Sequence, residues 1–301
     1  MPLPEPAPAA RRITLDASGV ALSALLCEPA GTPPRAVVVA LHGGGMNAGY
    51  FTAPADPSLS LLTAARALGF GVLALDRPGY RASAARLPEG LGPHAQAPLV
   101  RAALADFAAR HPTGAGLFLL GHSYGGKVAL VTAAEQPPPG LLGVDVSGCG
   151  YAYALDPAEV ARALERGRSS RSWGPLRLYP PGTFTAMRDL AEPMPRAERD
   201  ELAHWPQLLR AAAPKVGVPV RFTFAEHEAL WRHDPAALAD LTALFAAGTP
   251  VTVDRQAHAG HNIGLGRSAR AYHLRALAFL ENCLIGLDAP RIRTAAPGGR
   301  P

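Results

Sequence analysis

Residues 117–130 read LFLLGHSYGGKVAL: an apolar run, a glycine-flanked serine, then a second apolar run. Leu117 to Leu120 carries no polar side chain, the pattern of a strand buried on both faces of a sheet. From Gly125 to Glu135 the pattern is helical, so Gly121-His122-Ser123-Tyr124-Gly125 forms the turn between strand and helix. Glycines at 121 and 125 leave room for Ser123 to adopt a strained conformation that lifts its hydroxyl above the sheet. A serine in this place also suits a helix cap, so its chemistry depends on partners elsewhere in the chain.

The flanking sequence repeats the strand-then-helix rhythm. RITLDASGVALSALLCEP (12–29) predicts two short strands turning at Ser18-Gly19. RAVVVALHGGG (35–45) and GFGVLALDRPGY (69–80) are buried strands with glycine-rich or polar ends, separated by a helical stretch at 58–68. Further on, the pattern predicts a helix from Pro98 to Arg110, a strand at 116–120, the helix after Ser123, and a strand in GLLGVDVSGCG (140–150). VPVRFTFAEHE (218–228) and TPVTVDRQ (249–256) add strands, with helices at 234–247 and 267–284. Such alternation specifies an α/β fold, a mostly parallel sheet with helices on both faces and ligand chemistry at the carboxyl ends of its strands.

The rhythm breaks between Tyr151 and Pro214, where prolines, arginines and the aromatics Tyr151, Tyr153, Trp173, Tyr179, Phe184 and Trp205 gather. A structureless loop of that length is uncommon in a compact domain, so 151–214 is expected to be an inserted cap with short helices at 157–166 and 197–212. Residues 12–150 and 215–285 would then form the core. Residues 1–11 and 288–301, rich in proline, are expected to be flexible tails.

Composition narrows the function classes. Hydrophobic residues make up 48% of the 301 and charged residues 18%, as in a packed globular protein. The net charge of +5 comes from scattered arginines without an aromatic-lined basic stripe, which argues against nucleic acid as a partner. Apolar runs are strand-sized and fall short of the roughly 18 residues of a membrane span, and the start lacks a signal-peptide pattern, so a cytoplasmic protein is expected. Cys27, Cys149 and Cys283 are too few and too scattered for a disulfide framework or a thiolate metal site. No metal or organic cofactor is expected, and the expected partner is a small-molecule substrate.

A serine hydroxyl becomes a competent nucleophile only when a base takes its proton. HAGHNIG (258–264), after the last strand, offers His258 and His261, of which His261 is the better placed; His122 points away from its neighbour in such a turn. The base needs a carboxylate to set its tautomer. FTFAEHEALW (222–231) offers Glu228 first and Glu226 second, with Asp145 and Asp254 as further alternatives. Negative charge developing on a carbonyl oxygen calls for N–H donors, available from the backbone of Gly43 or Gly44 together with Tyr124. The glycine loop lacks the Lys-Ser/Thr ending of a phosphate-binding loop, since Met46-Asn47 stand there.

These pieces resemble the α/β-hydrolase family over about residues 12–285. The resemblance rests on His42-Gly43-Gly44-Gly45, Asp76-Arg77-Pro78-Gly79-Tyr80, the turn at Ser123, Glu228 and His261, in the chain order Ser, acid, His. Glutamate stands where the family more often has aspartate. The full set points to acyl transfer to water from an ester, thioester or amide, with Met46, Tyr50, Phe51, Trp173 and Trp231 as candidate pocket residues for a medium-sized apolar or aromatic acyl group. Arg77 and Arg81 are open between meeting a substrate carboxylate and a structural role. Two other classes fit the same fold: a non-hydrolytic lyase or cyclase, and a binding protein without catalysis.

Overall fold

The computed structural model describes residues 10–156, 159 and 173–288. Its centre is an eight-stranded sheet of β1 (Arg11–Ala17), β2 (Val20–Cys27), β3 (Val37–Leu41), β4 (Gly71–Leu75), β5 (Leu117–His122), β6 (Leu141–Ser147), β7 (Val220–His227) and β8 (Val251–Gly260). The spatial order is β1-β2-β4-β3-β5-β6-β7-β8. β2 runs antiparallel to β1 and β4; every other neighbouring pair is parallel. The β1–β2 hairpin turns at Ser18-Gly19 as expected, with both residues at positive φ and Ala17 opposite Val20.

The apolar runs are continuous because each central strand packs on both faces. In β3, Val37, Val39 and Leu41 enter one core while Val38 and Ala40 enter the other; in β5, Leu117 and Leu119 part from Phe118 and Leu120 in the same way. Helices α2 (Pro93–Arg110) and α3 (Tyr124–Glu135) cover the first face, and α1 (Leu61–Ala67) the second.

Several boundaries differ from expectation. α2 starts at Pro93, five residues before Pro98: Pro93 occupies the first turn, where a proline loses no helical bond, and Pro98 gives up only the bond toward His94. The expected helix at 197–212 is broken into α5 (Arg196–Asp200) and α6 (Trp205–Ala212) by a short 3-10 turn, α6 carrying Pro206 in its own first turn. Between β6 and these helices lies α4 (Thr183–Leu190), and the expected helix at 157–166 lies outside the described residues apart from Glu159. α7 (Pro235–Ala243) stops four residues early, and α8 (Ala269–Asp288) closes the chain's described part. β1 begins at Arg11, inside the expected tail.

The described parts of the segment joining β6 to β7 lie over the carboxyl ends of the strands. Met46 bridges Ala191, Tyr153 bridges Trp231, and the Glu192 amide donates to the Gly45 carbonyl at 2.9 Å. Among the described residues no helix is long and apolar enough to cross a membrane, and no cluster of His, Cys, Asp and Glu suits a metal ion.

Candidate active site

β5 delivers the chain to Ser123 at φ 53° and ψ −116°, a conformation a non-glycine residue adopts only at a price in strain of about 1–3 kcal/mol. The neighbouring glycines make the turn sterically feasible. A Cβ on Gly121 would sit 2.5 Å from the Gly125 carbonyl, and one on Gly125 would run into the Leu41 carbonyl of β3. Strand and helix thus pack backbone to backbone around the serine.

The hydroxyl of Ser123 donates to His261 Nε2 at 3.0 Å, and the opposite ring nitrogen, Nδ1–H, donates to Glu228 Oε2 at 2.8 Å. The carboxylate can only accept, which assigns the proton to Nδ1 and leaves Nε2 free to receive. Glu228 follows a register shift at the end of β7 that breaks the alternation after Ala225; its second oxygen accepts from the Leu230 amide at 2.9 Å. His261 and Glu228 are both buried.

The alternative carboxylates are elsewhere. Glu226 is exposed and accepts from the His258 amide at 2.6 Å, a bond that lowers its carboxyl pKa. Asp145 is buried against Arg221 and accepts from Tyr272 at 2.8 Å, and Asp254 accepts from Arg221 at 2.8 Å. His258 is an exposed residue of β8, which extends to Gly260 and so absorbs what was expected to be loop. His122 lies behind the site, flat on Tyr50 with ring centroids 4.7 Å apart and in contact with Ser147 Oγ at 3.2 Å. Burial, then the neighbouring His261, drives its pKa well below the ordinary histidine value, so it stays neutral.

The glycine loop after β3 is held from behind. The Arg77 amide donates to His42 Nε2 at 3.0 Å, so His42 carries its proton on Nδ1 and donates to the Gly43 carbonyl at 2.9 Å. Arg77 adds Nε–H to the His42 carbonyl at 2.7 Å and Nη2–H to the Gly43 carbonyl at 3.2 Å. Because the peptide is planar and trans, anchoring the Gly43 carbonyl turns the Gly44 N–H the opposite way. Gly44 and Tyr124 both border a cavity of about 200 Å³ that also meets Ser123 and His261. Among the described residues the Gly44 amide has no backbone acceptor, and Tyr124, first residue of α3, has none within its helix.

Arg77 itself is fully buried and bonded to Glu198 of α5, also fully buried. Glu198 Oε2 accepts from Arg77 Nη2 at 3.1 Å and from Tyr80 at 2.8 Å; Gln96 Nε2 donates to Oε1 at 2.9 Å, and Tyr80 accepts from the Gly45 amide at 3.0 Å. Burial opposes the charge on Arg77, but the adjacent Glu198 outweighs it and the guanidinium pKa is raised. The choice left open for Arg77 resolves to a structural tether. Arg81 pairs with Glu192 at 2.6 Å. Glu198 and Gln96 escaped the sequence reading, since nothing local marks a glutamate 121 residues from its arginine as a partner.

Of the expected pocket residues, Met46, Trp173 and Trp231 border the cavity. Tyr50 and Phe51 do not: both are about 1% exposed in the core beneath it, where Tyr50 backs His122 and accepts from the Gly264 amide at 3.0 Å. The 3-10 turn at Ala48–Thr52, which follows the glycine loop, carries them behind the cavity. Tyr153, one of the expected cap aromatics, also borders it, and Met187, Met194, Leu202, Leu230 and Lys127, which the sequence does not mark as pocket residues, complete much of the wall.

The sequence matches the model of the Alpha/beta hydrolase family over residues 38–283. Similar solved structures include a thermostable carboxyl esterase from Bacillus coagulans, 16% identical over 92% of this chain and 99% of that one, with a TM-score of 0.64. A soluble variant of monoglyceride lipase from Saccharomyces cerevisiae is 16% identical over 94% and 99%, with a TM-score of 0.62. A proline iminopeptidase from Mycobacterium smegmatis is 16% identical over 92% and 100%, with a TM-score of 0.61. At such identities the likeness is one of fold. No curated protein matches the chain. With its family match spanning most of the sheet and helices described above, the chain belongs to the alpha/beta hydrolase family.

Proposed function

We propose that this protein is a serine hydrolase that cleaves an ester or thioester of a medium-sized apolar or aromatic acyl group through an acyl-enzyme. The observation that carries the reading is the unbroken hydrogen-bond chain Ser123–His261–Glu228 on the wall of a largely apolar cavity. As Ser123 Oγ bonds to the substrate carbonyl carbon, His261 Nε2 takes its proton and Glu228 stabilises the resulting imidazolium. The N–H groups of Gly44 and Tyr124 meet the oxyanion, with Gly43 contributing the tethered carbonyl that fixes the first of them. His261 then protonates the leaving oxygen or sulfur, and in the second half takes a proton from water as it attacks the acyl carbon. The β6–β7 segment, 151–214 in the expected division, acts as the cap that excludes water and sets substrate shape.

A fluorophosphonate probe tests this directly. One equivalent is expected to label Ser123, identified by mass spectrometry, and to abolish hydrolysis of a panel of p-nitrophenyl esters and acyl thioesters. Absence of labelling at Ser123 refutes the nucleophile; labelling with no turnover across the panel favours a non-hydrolytic use of the pocket.

A further inference from the structure

Lys127 is one of two lysines in the chain, and the mechanism above does not use it. It occupies the fourth position of α3, is 2% exposed, and borders the same cavity as Ser123 and His261. Its Nζ donates to the Tyr153 hydroxyl at 2.9 Å and lies over four aromatic rings: Trp205 at 5.1 Å, Tyr124 at 5.3 Å, Tyr153 at 5.6 Å and Trp231 at 5.7 Å. The indole N–H groups of Trp205 and Trp231 are committed to the Gly150 and Gly148 carbonyls, which holds the rings in place.

Such rings soften the loss of water but accept no N–H bond in the way an oxygen does. An ammonium has three donors, and among the described residues one of those of Lys127 is taken, by Tyr153. The other lysine, Lys215, has Glu135 at 3.9 Å, whereas Lys127 has no ion-pair partner among the described residues. Glu192, a carboxylate on the cavity wall, is already matched by Arg81 and accepts from Asn47 at 3.1 Å. Among the described residues, the wall therefore presents one positive charge without an ion-pair partner, within mostly apolar surroundings.

We infer that Lys127 binds a free carboxylate of the substrate, several bonds from the scissile carbonyl, so that the preferred substrates are half-esters or half-thioesters of dicarboxylic acids. The inference rests on the hydrolytic reading for its chemistry, though not for the binding itself. One monovalent anion on an otherwise apolar chain matches the wall; a phosphate dianion would need more donors than a single ammonium and a phenol supply. Burial pushes the Lys127 pKa down to about 8, so the ammonium is charged at neutral pH and loses its charge above that. Tyr153, Tyr124 and Cys149 face it with pKa values raised by burial and stay protonated there, and Glu201 and Glu198 are the carboxylates whose charge reaches it.

Calorimetric titration of the Ser123→Ala protein with monoethyl adipate and with diethyl adipate separates binding from turnover. At pH 7 the half-ester is expected to bind at least about tenfold tighter, the scale of a charge-assisted hydrogen bond. That gap is expected to shrink as pH rises above about 8, and to vanish when Lys127→Met is added. Equal binding of the two esters, or no detectable binding of the half-ester, overturns the inference. So does a gap that survives Lys127→Met; if that variant does not fold, the loss of the gap with pH decides alone. Tight half-ester binding with no hydrolysis by the unmutated protein would leave the carboxylate site standing and remove the hydrolytic reading.

Discussion

Ser123→Ala is expected to lower kcat for p-nitrophenyl butyrate by on the order of 10⁴-fold or more, with substrate still bound and the melting temperature little changed. The hydroxyl is the only group removed, and its partner among the described residues, His261 Nε2, lies beside a cavity that water can enter. Turnover within tenfold of the unmutated protein would remove Ser123 as nucleophile. Ser123→Gly separates a second quantity. The positive φ of 53° strains serine and not glycine, so this variant is expected to be as inactive as alanine yet more stable, by about 1 kcal/mol and a few degrees in Tm. A stability equal to or below that of Ser123→Ala would show that the turn carries no such strain.

The second large effect is expected from Glu198→Ala. Removing this carboxylate strands the Arg77 guanidinium without a counter-charge in a fully buried site, which costs about 3–5 kcal/mol, roughly 10 °C in Tm for a chain of this size. Activity is expected to fall as well, by roughly 100-fold in kcat, because Arg77 is what pins the His42 and Gly43 carbonyls and thereby aims the Gly44 N–H. The double variant Arg77→Met/Glu198→Leu distinguishes the two effects. An apolar pair of similar volume is expected to restore most of the stability but not kcat, since the glycine loop remains untethered. Recovery of both would reduce the pair to a packing element; loss of neither in Glu198→Ala would show that water replaces the carboxylate.

Central strands announced themselves because burial on both faces forces continuous apolar runs, as in Val37–Leu41 and Leu117–Leu120. The turn at Ser123 was readable for a steric reason: backbones that approach as closely as those around Gly121 and Gly125 admit no Cβ. Glu228 and His261 were readable as candidates because each stands just past a strand, in the chain order Ser, acid, His. What escaped the reading depends on contacts between distant segments. Nothing within ten residues of Glu198 or Lys127 shows that one would meet Arg77 and the other an aromatic cage. Tyr50 and Phe51 were misplaced because nearness to the glycine loop does not tell which side of a 3-10 turn faces the cavity.

The Arg77–Glu198 tether also bears on interchangeability. If the stretch over the strand ends sets substrate shape, as proposed, exchanging it is the direct way to alter substrate range. Here that stretch supplies the counter-ion for a loop belonging to the other half of the molecule, reached through Tyr80 and Gln96 as well as Arg77. A transplanted stretch that lacks an acid in register with position 198 would leave the Gly44 N–H, the donor proposed for the oxyanion, without the tether that aims it. The exchangeable unit is therefore the stretch together with residues 77, 80 and 96, and a chimera that keeps these three matched to position 198 is the one expected to retain the tether.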